Sequence, residues 1–301
     1  MLFNNVYIFD GYIFDKDMNV LMGRDDMSPV RNMRIVNSAI SKITKGPVRT
    51  ITGPAIYIHT GDISHCHWLN DNLSRALIVK KRRLEDMICI AKYNNDIQFN
   101  SLISCGLKKD RIIQETQPMF CASVYCFEYR YGYPCVLNRE TYITKAEKFD
   151  LLRKTFLDTS QCETQPNRIY ISRNHPEGFA SRRRKIVNEH DFLDAISKYG
   201  FQTVYLESMS IDEQARMIFP ASVVIAPHGA GLFNLVFCDT TKHVDVLELF
   251  GDSKNDTLTM TTSMFDNITR HVVYGTWQGR DMLIDIDKVD QLLKEVCETK
   301  T

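Results

Sequence analysis

Short apolar runs and amphipathic stretches alternate along the chain. In the first half, apolar runs at 6–9, 11–14, 55–58 and 87–91 predict strands, and the Asp-Gly pair at 10–11 predicts a hairpin between the first two. Helical patterns follow the later strands, and one of them ends at a glycine. This order is typical of strands joined by crossover helices, so we expect parallel strands here.

The second half of the chain shows the same alternation more regularly. Apolar runs at 168–172, 201–206, 223–226 and 244–249 predict four strands. Amphipathic helices are predicted between and after them, and one has the Ser-x-x-Glu sequence of a capping box at 210–213. Four strands with their helices predict a Rossmann-like domain.

The length of 301 residues is enough for two domains of about 150 residues each. A polar stretch that begins near residue 158 predicts the boundary, which divides the chain into 1–157 and 158–301. The fold class that we expect is therefore α/β, with two Rossmann-like domains.

The composition excludes some function classes. Lys and Arg total 37, as do Asp and Glu, so the formal net charge is zero and no general attraction to nucleic acid or anionic lipid is expected. The nine cysteines form no Cys-x-x-Cys pair, which favours reduced thiols in a cytoplasmic protein. The N-terminus does not resemble a signal peptide. No apolar segment approaches the ~20 residues of a membrane helix, which leaves only peripheral membrane association open.

The glycine-containing turn Pro227-His-Gly-Ala-Gly231 follows a β-branched strand and precedes a helical pattern. We expect Gly229 and Gly231 to let the backbone approach an anion closely, at the N-terminus of the helix that follows. The alternative is that a doubly wound fold needs small residues at such a turn for packing alone.

Charged residues are expected near this turn, because ligands bind at the carboxyl ends of parallel strands. That rule brings Arg173, the basic run at 182–185, the glycine turn and Glu248 to one crevice. The fork of an arginine suits phosphate oxygens, although a solvated loop also explains part of the basic run. The chain lacks both the dinucleotide fingerprint and a P-loop.

His67 and Asp71 are the candidate acid–base pair of the first half. They lie four residues apart in a predicted helix for which Ser64 is the expected N-cap, so their side chains should be neighbours. Such a pair can act as base and orienting group, or it can simply solvate the start of a helix. His65 and His67 do not share a helical face, so a zinc pair is not expected.

Seven short motifs of the chain occur together in one known enzyme family. They are Ser64–Arg75, which ends in His67-Trp-Leu-Asn-Asp-Asn-Leu-Ser-Arg75, then Tyr170-Ile-Ser-Arg173, Arg184-Lys-Ile-Val-Asn-Glu189, Phe201–Tyr205, Glu213-Gln214, Pro227-His-Gly-Ala-Gly-Leu-Phe-Asn234 and Leu247-Glu-Leu249. Together they closely resemble glycosyltransferase family sixty-one, which includes plant xylosyltransferases, animal protein N-acetylglucosaminyltransferases and enzymes of bacterial or viral polysaccharide biosynthesis. The resemblance covers roughly residues 55–290 and departs from the common pattern at Ser74, where many members have proline.

The resemblance implies a GT-B fold, with two facing Rossmann-like domains, and inverting transfer of a sugar from a nucleotide sugar to a glycan or glycoprotein. It implies no cofactor and no essential metal, with UDP-xylose as the first expected donor and UDP-N-acetylglucosamine as the second. The positions that it assigns to the donor are Arg173, Arg184, Asn188, His228, Gly229, Ala230, Gly231, Asn234 and Glu248. His67 and Asp71 fall on the motif that faces the acceptor.

The mechanistic hypothesis is that Asp71, assisted or oriented by His67, deprotonates an acceptor hydroxyl. The departing diphosphate would then be stabilised by the glycine turn with Arg173 and Arg184, in place of a metal. A pair of aspartates at 285 and 287 resembles a metal motif of another fold, but N-capping of the last helix by Asp287 explains it. The alternatives are a non-catalytic sugar-nucleotide or glycan-binding module and another nucleotide-sugar enzyme such as an epimerase.

Overall fold

The computed structural model describes residues 1–23, 29–59, 62–127, 144–163, 167–175, 183–252 and 265–298, and only the backbone of 29–32. The chain divides into two compact units, Met1–Thr155 and Phe156–Thr301. Both are α/β units that contain parallel strands, as the sequence predicts. The facing arrangement of a GT-B fold stays a prediction.

The first unit is built on one seven-stranded sheet. Its strands are β1 (Leu2–Phe9), β2 (Tyr12–Phe14), β3 (Val20–Met22), β4 (Arg49–Tyr57), β5 (Ile88–Ala91), β6 (Ile112–Gln114) and β7 (Met119–Cys126). Their order is β3-β2-β1-β7-β4-β5-β6. The parallel part, β6-β5-β4-β7, has the 3-2-1-4 order of a Rossmann half.

Three antiparallel strands, β1, β2 and β3, extend this sheet. The sheet is therefore mixed, whereas the expected fold class has parallel sheets. The reason is the short connection at Asp10 and Gly11, because a tight hairpin can join only antiparallel strands. This hairpin confirms the turn that the sequence predicts.

The helices of the first unit cover and connect the strands. They are α1 (Pro29–Lys45), α2 (His65–His67), α3 (Ser74–Lys81), α4 (Asp96–Ser104) and α5 (Lys145–Phe156). Amphipathic α1 packs Ala39 and Ile43 against Phe9, Tyr12 and Phe14 of the hairpin. A π-helix, Trp68–Leu73, joins α2 to α3.

The second unit is built on a five-stranded parallel sheet and a small hairpin. Its strands are β8 (Asn167–Ile171), β9 (Phe201–Val204), β10 (Ala221–Pro227), β11 (Val244–Phe250) and β12 (Ile268–Tyr274), with β13 (Thr276–Gln278) and β14 (Asp281–Leu283) as the hairpin. The sheet order is β12-β11-β10-β8-β9. This is the 2-1-3-4-5 order of doubly wound folds. In such folds ligands bind at the carboxyl ends of the two neighbouring strands between which the strand order reverses, here β8 and β10.

The prediction of four strands was wrong, because β12 is a fifth. Its outer position in the sheet leaves most of its residues partly exposed, so that Arg270 and His271 interrupt the apolar pattern. Three helices accompany the sheet, namely α6 (Glu189–Ser197), α7 (Ile211–Ile218) and α8 (Ile286–Glu298). The capping box of Ser210 and Glu213 is confirmed at the start of α7.

Two other predictions about helix starts need correction. The segment after the glycine turn, Ala230–Phe237, is a 3-10 helix and not the α-helix that was expected. The start of α8 is capped by Asp285 and not by Asp287, because the backbone N–H of Lys288 donates to the Asp285 carboxylate at 3.3 Å.

The described helices include none that is long and apolar enough to cross a membrane. Eight of the nine cysteines lie in the described ranges, and all eight are free thiols.

Candidate functional site

The acid–base pair lies on an irregular helix that follows β4. Trp68 is buried and its indole N–H donates to the Ser101 hydroxyl at 2.9 Å, which anchors the π-helix against α4. The Ser74 hydroxyl donates to the carbonyl of Asn70 at 2.7 Å. Ser64 stands at the N-cap position, but its side chain makes no capping bond, contrary to expectation. Single π-helical turns within α-helices are frequent at functional sites.

His67 and Asp71 are in direct contact, as their spacing predicts. Nδ1 of His67 lies 2.7 Å from Oδ2 of Asp71, and the side-chain amide of Asn70 donates to Oδ1 of Asp71 at 2.7 Å. The imidazole is 30% exposed and the carboxylate only 12%. In the tautomer in which Nδ1 donates to Asp71, Nε2 of the neutral ring is a proton acceptor. Asp62 lies 4.0 Å from that nitrogen.

A buried lysine contacts Asn70, the residue next to Asp71. Lys148, in α5, is 6% exposed, and its ammonium group donates to Oδ1 of Asn70 at 2.5 Å. The same charges act on the neighbouring thiol of Cys66. Its pKa is raised to about 12, by burial first, with a further rise from Asp71 and Asp62 that Lys148 opposes.

In the second unit, two arginines converge on the glycine turn. A Cβ atom on Gly229 would lie 2.5 Å from Nη1 of Arg173 and 3.1 Å from Nη1 of Arg184. Gly229 also has φ 154° and ψ −170°, a conformation that is essentially restricted to glycine. Both facts require glycine at this position, and the turn is therefore shaped around the two guanidinium groups.

Arg184 is held by several backbone contacts. Its own φ is 65°, which is uncommon for a residue with a side chain. Its backbone N–H donates to the carbonyl of Arg280 at 2.7 Å, and Nη1 donates to the carbonyl of His228 at 2.8 Å. The backbone of Arg184 is thus fixed by Arg280 and its guanidinium group by His228. Backbone outliers of this kind cluster at binding sites.

The two arginines are crowded cations. Burial, and then the neighbouring Arg184, lower the pKa of Arg173 to about 10, while Glu207 opposes the shift. Burial and the adjacent Arg183 also lower the pKa of Arg184, against the effect of Glu248. Both side chains remain charged at neutral pH, so a bound anion would relieve their desolvation and their mutual repulsion.

His228 is fixed by a buried contact with Glu248. Its Nδ1 lies 2.5 Å from Oε1 of Glu248, whose other oxygen accepts from Nε of Arg270 at 2.6 Å. Glu248 is fully buried, and the His228 ring stacks on Phe250 with 4.5 Å between the ring centroids. Arg270 also lies over the Phe250 ring, at 5.4 Å. This network directs the other edge of the imidazole away from Glu248.

A cavity of about 500 Å³ lies beside these groups. Its lining includes Arg183, Arg184, His228, Phe250, Trp277 and Arg280. Volumes of this size are typical of small-molecule sites. A cavity with three arginines in its wall fits a ligand with more than one negative charge.

The remaining predicted donor residues have structural roles around the turn. The Asn188 side chain exchanges two hydrogen bonds with the backbone of Ile284, at 2.9 and 3.0 Å, and so ties the start of α6 to the end of the hairpin. The side-chain amide of Asn234 donates to the carbonyl of Gly231 at 3.1 Å within the 3-10 helix, which Ala230 begins. A donor contact for these residues stays a prediction.

Gly231 does not share the steric requirement of Gly229. A Cβ atom there would lie 3.7 Å from the nearest atom, in Ile171, at an ordinary van der Waals distance. The expectation that both glycines permit a close approach therefore applies to Gly229 alone.

Among the described residues, no group of three or more His, Cys, Asp or Glu side chains could hold a metal ion. Arg182, the first residue of the predicted basic run, lies outside the described residues.

Sequence analysis missed Lys148, Asn70, Arg270 and Trp277. Lys148 comes from a helix 78 residues away from Asn70, and no sequence signal connects the two. Arg270 could have been found only if β12 had been recognised as a strand next to β11.

Comparison with models of protein families gives a match. The family model described as Glycosyltransferase 61 matches residues 65–244, which is more than half of the chain and includes most of the candidate residues of both units. The matched range ends before Glu248, Arg270 and the β13–β14 hairpin. No curated protein matches the chain.

Proposed function

Since the chain belongs to glycosyltransferase family 61, which indicates glycosyltransferase activity, we propose that it transfers a sugar from a nucleotide sugar to an acceptor hydroxyl with inversion and without an essential metal. The observation that carries the proposal is the pair of guanidinium groups held over Gly229, beside His228 and the arginine-lined cavity. We assign the diphosphate of the donor to this place.

Electrostatic complementarity supports that assignment. Arg173 and Arg184 have planar forks that match phosphate oxygens, and both are partly desolvated before any ligand binds. As the bond between the sugar and the diphosphate breaks, negative charge grows on the phosphate oxygen. Preorganised cations stabilise such charge without reorganising during the reaction. They would supply the stabilisation that a metal ion gives in other transferases.

For proton transfer, the geometry favours His67 as the base, which reverses the roles suggested by the sequence. Both oxygens of Asp71 already accept hydrogen bonds, from Nδ1 of His67 and from Asn70, and the carboxylate is the less exposed partner. Asp71 then orients the ring and stabilises the imidazolium that forms, as the carboxylate does in a serine protease triad.

The proposed step balances as follows. Nε2 of His67 takes the proton of the acceptor hydroxyl, and the acceptor oxygen forms a bond to the anomeric carbon. The bond from that carbon to the diphosphate oxygen breaks, and the nucleoside diphosphate leaves with the electron pair. Attack from the face opposite the leaving group inverts the anomeric configuration. We propose UDP-xylose as the first donor to test and UDP-N-acetylglucosamine as the second, with a glycan or glycoprotein as the acceptor.

A panel of UDP- and GDP-sugars tests the proposal, with release of free nucleotide as the readout. We expect slow hydrolysis of one donor in the presence of EDTA. Arg184→Met should weaken UDP binding at least about tenfold, because a charge-assisted phosphate contact is worth about 1.5–3 kcal/mol. Arg216→Met is the matched control, since Arg216 forms a surface ion pair with Asp212 at 3.3 Å. Nucleotide binding without any turnover would favour a binding module, and dependence on manganese would contradict the metal-free mechanism.

A further inference from the structure

A continuous hydrogen-bonded chain connects Lys148 to His67. The Lys148 ammonium donates to Oδ1 of Asn70 at 2.5 Å, and Nδ2 of the same amide donates to Oδ1 of Asp71 at 2.7 Å. The other oxygen of Asp71 lies 2.7 Å from Nδ1 of His67. Asn70 and Asp71 each contact one neighbour through one polar atom of the side chain and the next neighbour through the other.

Lys148 is unusual for a lysine because it is buried. Lysines are almost never buried without a partner, since removing an ammonium group from water is costly. Its ammonium group lies 5.4 Å from the centroid of the Phe149 ring and donates to the side-chain amide of Asn70. The same amide donates to the Asp71 carboxylate, so the charge of the lysine also acts on that carboxylate.

We propose that Lys148 is a positioning residue that acts through Asn70 to hold the Asp71 carboxylate directed at Nδ1 of His67. The ammonium group orients the Asn70 amide, which directs one of its two N–H bonds toward Asp71. Hydrogen bonds in such a chain polarise and strengthen one another. The inference rests on the proposed function, because it assigns His67 as the base that this chain prepares.

The charges around His67 set the expected direction of the effect. Asp71 faces Nδ1, Asp62 lies near Nε2, and the Cys66 thiol adjoins the ring in sequence, while Lys148 is the cation reached through Asn70. The two carboxylates favour the imidazolium and Lys148 disfavours it. Loss of the lysine charge should therefore raise the pKa of the imidazole.

The test uses Lys148→Gln, which keeps a donor for Asn70 but removes the charge, and Lys148→Arg, which keeps both. Chain labelled with ¹³C at its eight histidines is titrated by NMR without substrate, and His67→Gln assigns the signal. We expect the imidazole pKa to rise by roughly 0.5–1 unit in Lys148→Gln and to stay near the wild-type value in Lys148→Arg. Lys81→Met removes an exposed lysine that pairs with Glu147 and serves as the control.

Turnover measured between pH 6 and 9 gives the second readout. Since a base must be neutral to act, the acidic limb of the profile should move to higher pH in Lys148→Gln and return in Lys148→Arg. An unchanged imidazole pKa in Lys148→Gln, or an equal change in both variants, would overturn the proposal. A shift in the titration with full turnover in His67→Gln would support the hydrogen-bonded chain while removing His67 as the base, so failure of either idea can be recognised.

Discussion

The two candidate regions differ in how the chain assembles them. The His67 region is drawn almost entirely from one helical stretch after β4, and its key contact joins residues four apart. The Arg184 region combines the ends of β8, β10 and β11 with the β13–β14 hairpin, over about a hundred residues. The first holds an imidazole between carboxylates, whereas the second holds cations together.

This difference reflects the chemistry assigned to each region. A proton acceptor needs one ring and one partner at a fixed distance, which neighbouring positions of a helix supply. A site for a diphosphate needs several cations that repel one another. They must be fixed from separate elements, with a glycine where two guanidinium groups meet. The two regions should therefore fail in different ways, the first in turnover and the second in nucleotide binding.

The largest effect is expected from His67→Gln. A positioned base contributes about 10²–10⁴-fold to the rate, so turnover should fall by that factor. The affinity for UDP, measured by calorimetry, should stay within about twofold of wild type, because the region assigned to the donor is untouched.

His190→Gln is the matched control for this variant, because the His190 side chain is 88% exposed at the surface. It should leave both turnover and UDP affinity unchanged. If His67→Gln instead weakened UDP binding and spared turnover, the contrast between the two regions would be lost.

A smaller effect, on binding, is expected from Gly229→Ala. The glycine-only conformation costs about 1–3 kcal/mol for alanine, and the new methyl group must displace the Arg173 guanidinium. UDP affinity should fall by at least about tenfold at saturating acceptor.

Gly231→Ala is the internal control two residues away, and it should bind UDP like the wild type because its methyl group has room. Equal losses in both variants would mean that the turn tolerates no change at all, and the argument about Arg173 and Arg184 would fail. Calorimetry on both proteins decides the matter.

Much of this architecture could be predicted from local patterns. The Asp10–Gly11 hairpin, the Ser210 capping box and the contact of His67 with Asp71 all depend on residues within a few positions of each other. In the second unit, the carboxyl ends of the parallel strands lie at one edge of the sheet, and ligands bind at that edge. These features need no knowledge of tertiary packing.

The rest depends on long-range placement. Lys148 reaches Asn70 only because α5 returns to the π-helix, and Arg270 reaches Glu248 only because β12 lies beside β11. The π-helix itself was predicted as an ordinary helix, since its apolar spacing is similar over a single turn. Asn188 belongs to a motif that suggests a ligand, yet its amide is occupied by the backbone of Ile284.

The smallest effect is expected from Glu115, a second buried carboxylate of the first unit. It should change the pH dependence of stability but not that of turnover. Glu115 accepts hydrogen bonds from the Tyr57 hydroxyl at 2.5 Å and from the backbone N–H of Asp10, which in turn pairs with Lys92. Burial raises the pKa of Glu115 to about 7, against the effect of these hydrogen bonds. Asp71 has a nearby imidazole, whereas Glu115 has a phenol.

The pKa of Glu115 is higher in the folded chain than its ordinary value of 4.5, so the folded state binds the extra proton between these values. Its contribution to stability is therefore complete below pH 4.5 and is lost as the pH rises through 7, with a slope of at most about 1.4 kcal/mol per pH unit. Glu115→Gln should flatten this slope.

Urea unfolding between pH 5 and 8 measures the slope, followed by Trp68 fluorescence in a Trp277→Phe background, because the chain has two tryptophans. Asp110→Asn changes a carboxylate that is 79% exposed and should keep the wild-type slope. Turnover should show the same pH profile in Glu115→Gln as in the wild type, because the base that we propose is His67. A shift of that profile would mean that Glu115 and His67 titrate together. The pH dependence of stability and the pH dependence of turnover would then not be independent in the first unit.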